Sequence, residues 1–177
     1  MTEQGGALAT RLYGRSPKGE RLVQKVPQGN WKTITFIAAL RYNRITAPFV
    51  IEGAMDGEMF RAYVEQFLAP TLRRGDVVFM DNAPVHKVDG VEEAIEDRGA
   101  ILRYLPQYSP DLNPIEQLFS KIKAMLRKIA AYSVQKTPFT VSSLCIAIAS
   151  CLDEIPPSEC AAYLVNSGYG QPRRKTL

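Results

Sequence analysis

Val77-Val78-Phe79-Met80-Asp81-Asn82-Ala83-Pro84-Val85-His86-Lys87, read together with Leu105-Pro106-Gln107-Tyr108-Ser109-Pro110-Asp111-Leu112-Asn113-Pro114-Ile115-Glu116, decides how this chain folds. Four apolar residues in a row read as a strand buried on both faces, the pattern of a parallel sheet covered by helices. Asp81 ends that strand. Prolines 106, 110 and 114 keep the second stretch irregular until Glu116 opens an amphipathic helix. Between Asp81 and Glu116 lie 34 residues. A carboxylate at a strand end and another in a helix's first turn can converge on one metal ion, and metal-bound carboxylates serve phosphodiester chemistry.

Upstream, the first thirty residues are polar, Gly-rich and basic, with Arg11, Arg15, Lys18, Arg21 and Lys25 spread through them. Residues 32–40 read as a strand and 45–51 as its hairpin partner, with Pro48 marking an edge or a bulge. Asp56 is placed to cap a helix over 57–72, whose apolar face is Met59, Phe60, Tyr63, Val64, Phe67 and Leu68. Downstream of Asp81 come a short charged helix over 88–97, ended by Gly99, and a strand over 101–105. A long helix follows over 113–131, then two more over 141–155 and 158–166. The order predicts an α/β fold with a mixed sheet flanked by helices, in which sites gather at the carboxyl ends of parallel strands. Three stretches are expected: a basic N-terminal segment (1–30), the main domain (31–170) and a basic tail (171–177).

The bulk numbers set wide bounds. One hundred and seventy-seven residues suffice for one domain with a core, and 46% hydrophobic with 23% charged residues is ordinary for a globular chain. No apolar run approaches the roughly 20 residues needed to cross a bilayer, and no signal segment opens the chain. No membrane is expected as a partner. The three cysteines match no metal spacing, and a reducing cytoplasm is the simplest setting. A net charge of +4 and a pI near 9.0 are compatible with nucleic acid without requiring it.

On the residues alone the candidates for chemistry have more than one reading. Asp81 is either a metal ligand or a turn residue at a strand end. Asn113 and Pro114 are a good helix cap and first residue, so Glu116 reads equally as a capping carboxylate. On the helix, Ile115, Leu118, Phe119, Ile122, Met125, Leu126 and Ile129 fill one arc of about 120°, and Glu116, Lys123 and Arg127 share a stripe beside it. That stripe either aligns a metal with a phosphate backbone or is a solvated charged flank. His86, the chain's one histidine, either packs at a helix start, touches a phosphate or orients a carboxylate. Asp111 is a third acid or a turn residue. The basic segment suits phosphate contacts as well as solvent. Cys145 and Cys151 read as core residues of their helix.

Taken together, Arg11-Leu-Tyr-Gly-Arg-Ser-Pro-Lys-Gly-Glu-Arg21, Trp31-Lys32-Thr33, Met80-Asp81-Asn82 with His86-Lys87, and the Pro-rich segment ending at Glu116 resemble the catalytic domain of insertion-sequence transposases of the IS630 group. These are relatives of the Tc1/mariner elements, and the resemblance spans about residues 10–170. It implies a ribonuclease-H-like fold and an Asp-Asp-Glu triad holding two divalent ions, Mg²⁺ or Mn²⁺. The second Asp falls on Asp81 and the Glu on Glu116, with Asn82 and His86 as accessory positions. The first Asp falls near Met1, where the chain reads Met1-Thr2-Glu3-Gln4 with no strand predicted. The expectation is therefore an N-terminally truncated domain that lacks its first strand and first catalytic Asp. The implied partner is DNA, both element terminal repeats and target, contacted by Arg11, Arg15, Lys18, Arg21, Lys123 and Arg127. The resemblance also implies a homodimer and a bacterial, nucleoid-associated cytoplasmic setting. Two explanations of the shortened start stay open: the downstream half of a split transposase, joined to its upstream half by frameshifting, or a decayed copy or misplaced start codon. Two other classes remain open: a non-catalytic DNA-binding regulator and a ribonuclease-H-type nuclease.

Overall fold

In the computed structural model, residues 3–4, 18, 33–132 and 140–170 are described. The predicted hairpin is β2 (Ile34–Arg41) and β3 (Arg44–Glu52), antiparallel around a tight turn. Its register slips once. Ile37 faces Phe49 and Ala39 faces Thr46, so Ala47 and Pro48 together oppose Ala38. This is the bulge that Pro48 signalled, since proline cannot donate to the ladder. Ala47 takes φ +49°, and its carbonyl accepts the Tyr63 hydroxyl at 2.9 Å. On the other edge of β2 lies β1 (Glu3–Gln4), antiparallel with Glu3 opposite Phe36. No strand was expected there; two residues are too few to carry a periodic signal.

β4 (Val77–Met80) pairs in parallel with β5 (Ile101–Tyr104), and α2 (Val91–Glu96) lies in their connection. Among the described residues the two sheets are separate, with orders β1-β2-β3 and β4-β5. The expectation that β4 is buried on both faces is corrected. Met80 is buried, but Val77 and Phe79 are 48% and 46% exposed. Alternate residues of a strand point to opposite faces. One face of β4 meets the core; on the other, Phe79 leans on the Tyr169 ring at 4.9 Å and is otherwise half open.

Two cores flank the sheets. One joins α3 (Ile115–Tyr132), α4 (Val141–Asp153) and α5 (Pro157–Asn166) to Phe36, Leu40, Ile45 and Val50 of the hairpin. The other joins α1 (Gly57–Tyr63), α2, β4 and β5 to Ile37. Adjacent residues Phe36 and Ile37 thus feed opposite layers, so helices cover both sides, as the α/β reading required.

Local sequence explains most element ends. Asp56 caps α1, its carboxylate accepting the Met59 N–H at 2.8 Å. The helical path then continues through a π-helical Val64–Leu68 and a 3₁₀ turn at Ala69–Thr71. Phe60, Tyr63, Val64 and Leu68 are buried, whereas Met59 and Phe67 lie at the margin of the expected apolar face. α2 is shorter than predicted because Gly90, with φ +91°, precedes it and a 3₁₀ turn at Pro84–His86 takes up the chain before that. Gly99, with φ +69°, ends the following turn, and a Cβ there would lie 2.9 Å from Arg74 Cγ. In α3, Ile115, Leu118, Phe119, Ile122 and Leu126 are buried, but Ile129 is exposed. Thr140 caps α4 through the Ser143 N–H. Cys151 is buried as expected, while Cys145 is only half-buried on the flank of its helix.

Candidate active site

The parallel ladder fixes where Asp81 stands. Met80 pairs with Tyr104, and the Leu105 N–H donates to the Met80 carbonyl at 2.8 Å, so β4 is held to its last residue. Asp81 follows immediately, at the carboxyl end of a parallel pair. Its side chain is gripped locally. The Ala83 N–H donates to Oδ1 at 3.1 Å, a turn of the kind Asp favours two residues upstream of its donor. His86 Nδ1 lies 2.6 Å from the same Oδ1. Both contacts fall on one oxygen, and Oδ2 takes part in neither.

His86 is buried, 1% exposed, with its ring centroid 4.4 Å from that of Phe60. Its carbonyl accepts the Tyr104 hydroxyl at 3.0 Å, and the Lys87 ammonium sits over the Tyr104 ring. Burial raises the pKa of the Asp81 carboxyl, but the hydrogen bond and electrostatic attraction of His86, with the Ala83 N–H, outweigh it and bring it down to about 2. Asp81 is thus an anion at neutral pH. Asn82 Oδ1 is buried and has no hydrogen-bond partner among the described residues.

The second carboxylate arrives on a helix. The Pro-rich stretch folds as a 3₁₀ turn at Pro110–Leu112, and Tyr108 before it takes φ +56°. The Glu116 N–H then donates to the Asn113 carbonyl at 3.2 Å, and the Gln117 N–H to that of Pro114, which opens α3. Asn113, Pro114 and Ile115 share a cavity of about 300 Å³ with Asp81, His86 and the facing segments of β2 and β4. Glu116, half-buried, is the next residue along α3. The same cavity is lined by Tyr169, whose hydroxyl donates to the Leu112 carbonyl at 2.8 Å.

The other candidates separate. Lys123 is half-buried and Arg127 exposed, farther along α3; at 1.5 Å per residue they stand about 10 and 16 Å from Glu116 along the axis. Asp111 is exposed within its 3₁₀ turn, the turn reading rather than that of a third acid. Lys18 is exposed in a turn, and Arg11, Arg15 and Arg21 lie outside the described residues. Sequence reasoning missed Phe60 and Tyr104, which hold His86 from distant elements and leave no local pattern. The Ala83 N–H was within reach of it, because an Asp followed two residues later by a backbone donor is a common turn.

Residues 6–137 match the family described as DDE superfamily endonuclease. The chain belongs to that family. The DDE domain is 28% identical over 127 residues to the Tcb1 transposable-element transposase of Caenorhabditis briggsae, covering 67% of this chain and 46% of that protein. Its fold is that of the Mos1 transposase in a pre-cleavage transpososome: TM-score 0.65, 11% identity, 90% of this chain and 48% of that one. A Mos1 mariner paired-end complex with Mn gives TM-score 0.60 at 12% identity, with the same 90% and 48% coverage. The expected ribonuclease-H-like α/β architecture therefore holds, in the form these transposases share. The chain spans about half the length of these relatives.

The donor set bears on a metal. Asp81 and Glu116 carboxylates and the Asn82 oxygen, which has no partner among the described residues, are hard donors of the kind Mg²⁺ and Mn²⁺ take. In number they fall short. Among the described residues no three His, Cys, Asp or Glu side chains come together to hold an ion.

Proposed function

We propose that this chain carries two of the three acids of a transposase that cuts element-end DNA and joins it to target DNA, in the insertion-sequence branch of its superfamily. The observation that supports this best is Asp81: an anionic carboxylate at the end of β4, held by one oxygen, in a cavity shared with the residues that lead into Glu116. By type these donors suit Mg²⁺ or Mn²⁺, which, once a third acid completes the set, would activate a water or 3′-hydroxyl and neutralise charge on the scissile phosphate. Asp81 and Glu116 hold and orient that site from two different elements. Asn82 offers a further oxygen. Lys123 and Arg127, farther along α3, contact the DNA backbone, together with Arg11, Arg15, Lys18 and Arg21.

The third carboxylate comes, on this reading, from a strand running along residues 37–41 of β2, beyond the two residues that β1 pairs, where β2 and β4 line the cavity. An upstream polypeptide, as in a split transposase, supplies it. The active assembly is a dimer on paired element ends, working at the bacterial chromosome. The test is Mg²⁺- or Mn²⁺-dependent nicking of element-end DNA by this chain alone and by the chain joined to such a strand. The joined protein is expected to nick, and Asp81→Asn or Glu116→Gln to abolish it. Nicking that survives Glu116→Gln would overturn the assignment.

One observation favours a second reading. The net charge of +4 and the pI near 9.0 suit a DNA-binding regulator as well as an enzyme. That reading expects salt-sensitive DNA binding that persists in Asp81→Ala and Glu116→Ala, with no metal-dependent nicking in any form.

A further inference from the structure

We propose that His86 is a positioning residue: its Nδ1–H fixes Oδ1 of Asp81, so that Asp81 meets the ion through Oδ2 alone. The inference rests on the proposed metal site and adds how that site is oriented.

Three roles for His86 were open from sequence, and the geometry chooses among them. Nδ1 lies 2.6 Å from Asp81 Oδ1 and 3.4 Å from the Asp81 carbonyl. Two oxygen acceptors around one ring nitrogen require that nitrogen to carry the proton. Nε2 is buried and has no partner among the described residues. The ring packs on Phe60 at 4.4 Å. With Nδ1 committed and Nε2 walled off, neither nitrogen is open to a phosphate or an ion. Direct contact with substrate is thereby excluded, and simple packing does not account for a 2.6 Å contact to a carboxylate.

The residue is also anchored at both ends of its backbone. Its N–H donates to the Ala83 carbonyl at 3.0 Å, and its carbonyl accepts the Tyr104 hydroxyl at 3.0 Å. β5, through Tyr104, and α1, through Phe60, thus hold the ring that holds Asp81. With Oδ1 engaged by both His86 and Ala83, a chelate through both oxygens of Asp81 would have to break two hydrogen bonds. Partners behind a ligand set its orientation and affinity, and their loss commonly weakens metal binding about 10- to 100-fold.

The test uses the full chain and Mn²⁺ alone, titrated by the paramagnetic resonance of the free ion, with circular dichroism to confirm folding. His86→Asn keeps an amide donor near the Nδ1 position; His86→Leu keeps bulk and removes the donor. His86→Leu is expected to weaken Mn²⁺ at least about tenfold, and His86→Asn to bind close to wild type. Equal Mn²⁺ affinity in His86→Leu and wild type would overturn the proposal. Nitrogen NMR of wild type is the second readout, and it stands even if His86→Leu does not fold: an Nδ1–H tautomer is expected, and an Nε2–H tautomer would refute it. Failure of the underlying metal site looks different. Then wild-type Mn²⁺ uptake is absent or is unaffected by Asp81→Asn.

Discussion

Asp81 and the residues that lead into Glu116 line one cavity by different means. Asp81 is held from within five residues of itself, by Ala83 and His86, with Phe60 and Tyr104 behind. Glu116 is placed by docking a whole helix: α3 buries Leu118, Phe119, Ile122 and Leu126 against α4, α5 and the hairpin. The two arms even belong to different cores. A local arm keeps its geometry as long as its turn survives. A docked arm keeps its geometry only as long as its layer is packed. The proposed site is therefore as precise as the less well-packed of two independent layers.

Leu118→Ala strikes the docked arm hardest. The side chain is fully buried, and the loss is expected at about 3 kcal/mol by urea unfolding. The comparison sharpens if the His86 ring signals stay in place while those of α3 shift; it breaks if both move together. Gly99→Ala tests the layer behind Asp81. The φ of +69° and the 2.9 Å approach to Arg74 predict a loss of about 1–2 kcal/mol by thermal melting. A neutral result would show that the turn before β5 relaxes freely.

Asp56→Ala removes the cap of α1, the helix that carries Phe60. About 1 kcal/mol of stability should go, with weaker hydrogen-exchange protection of α1 and not of α4. The smallest effect is expected at Lys121, which bonds both Glu159 oxygens at 2.5 and 2.6 Å and ties α5 to α3. The hydrogen bond from Lys121, joined by that from the Tyr163 hydroxyl, holds the Glu159 carboxyl below its ordinary value against burial. A depressed carboxylate stabilises the fold above its unfolded-state value and loses that stabilisation as pH falls through the acid range. The melting difference between wild type and Lys121→Met should be about 0.5 kcal/mol or less at pH 7, given the exposure of the pair. It should vanish near pH 3. A difference that grows with acid would contradict the pairing.

Much of this was legible in the chain. The hairpin with an edge or bulge at Pro48, the Asp56 cap, the strands over 77–80 and 101–105 and the long helix after Asn113 all follow from periodicity and breaker residues. The resemblance carried the fold family. Other features were hidden for identifiable reasons. A run of four apolar residues looks the same whether one face or both are covered, so the half-open side of Val77 and Phe79 could not be read. β1 is two residues long and has no pattern. The clasp on Asp81 was half legible, since Ala83 and His86 are neighbours in sequence. Phe60 and Tyr104, separated from His86 by 26 and 18 positions, become its neighbours only through the packing of α1 and β5.

The most direct test is whether one ion sees both arms. Mn²⁺ added to isotope-labelled protein broadens NMR signals within its reach. The account predicts that the amides of Asp81–Ala83 and Asn113–Gln117 broaden together at low Mn²⁺, and that Asp81→Asn removes both effects at once. Broadening confined to the surface acids Asp89, Glu92 and Glu93, or broadening at Asn113–Gln117 that persists in Asp81→Asn, would contradict it.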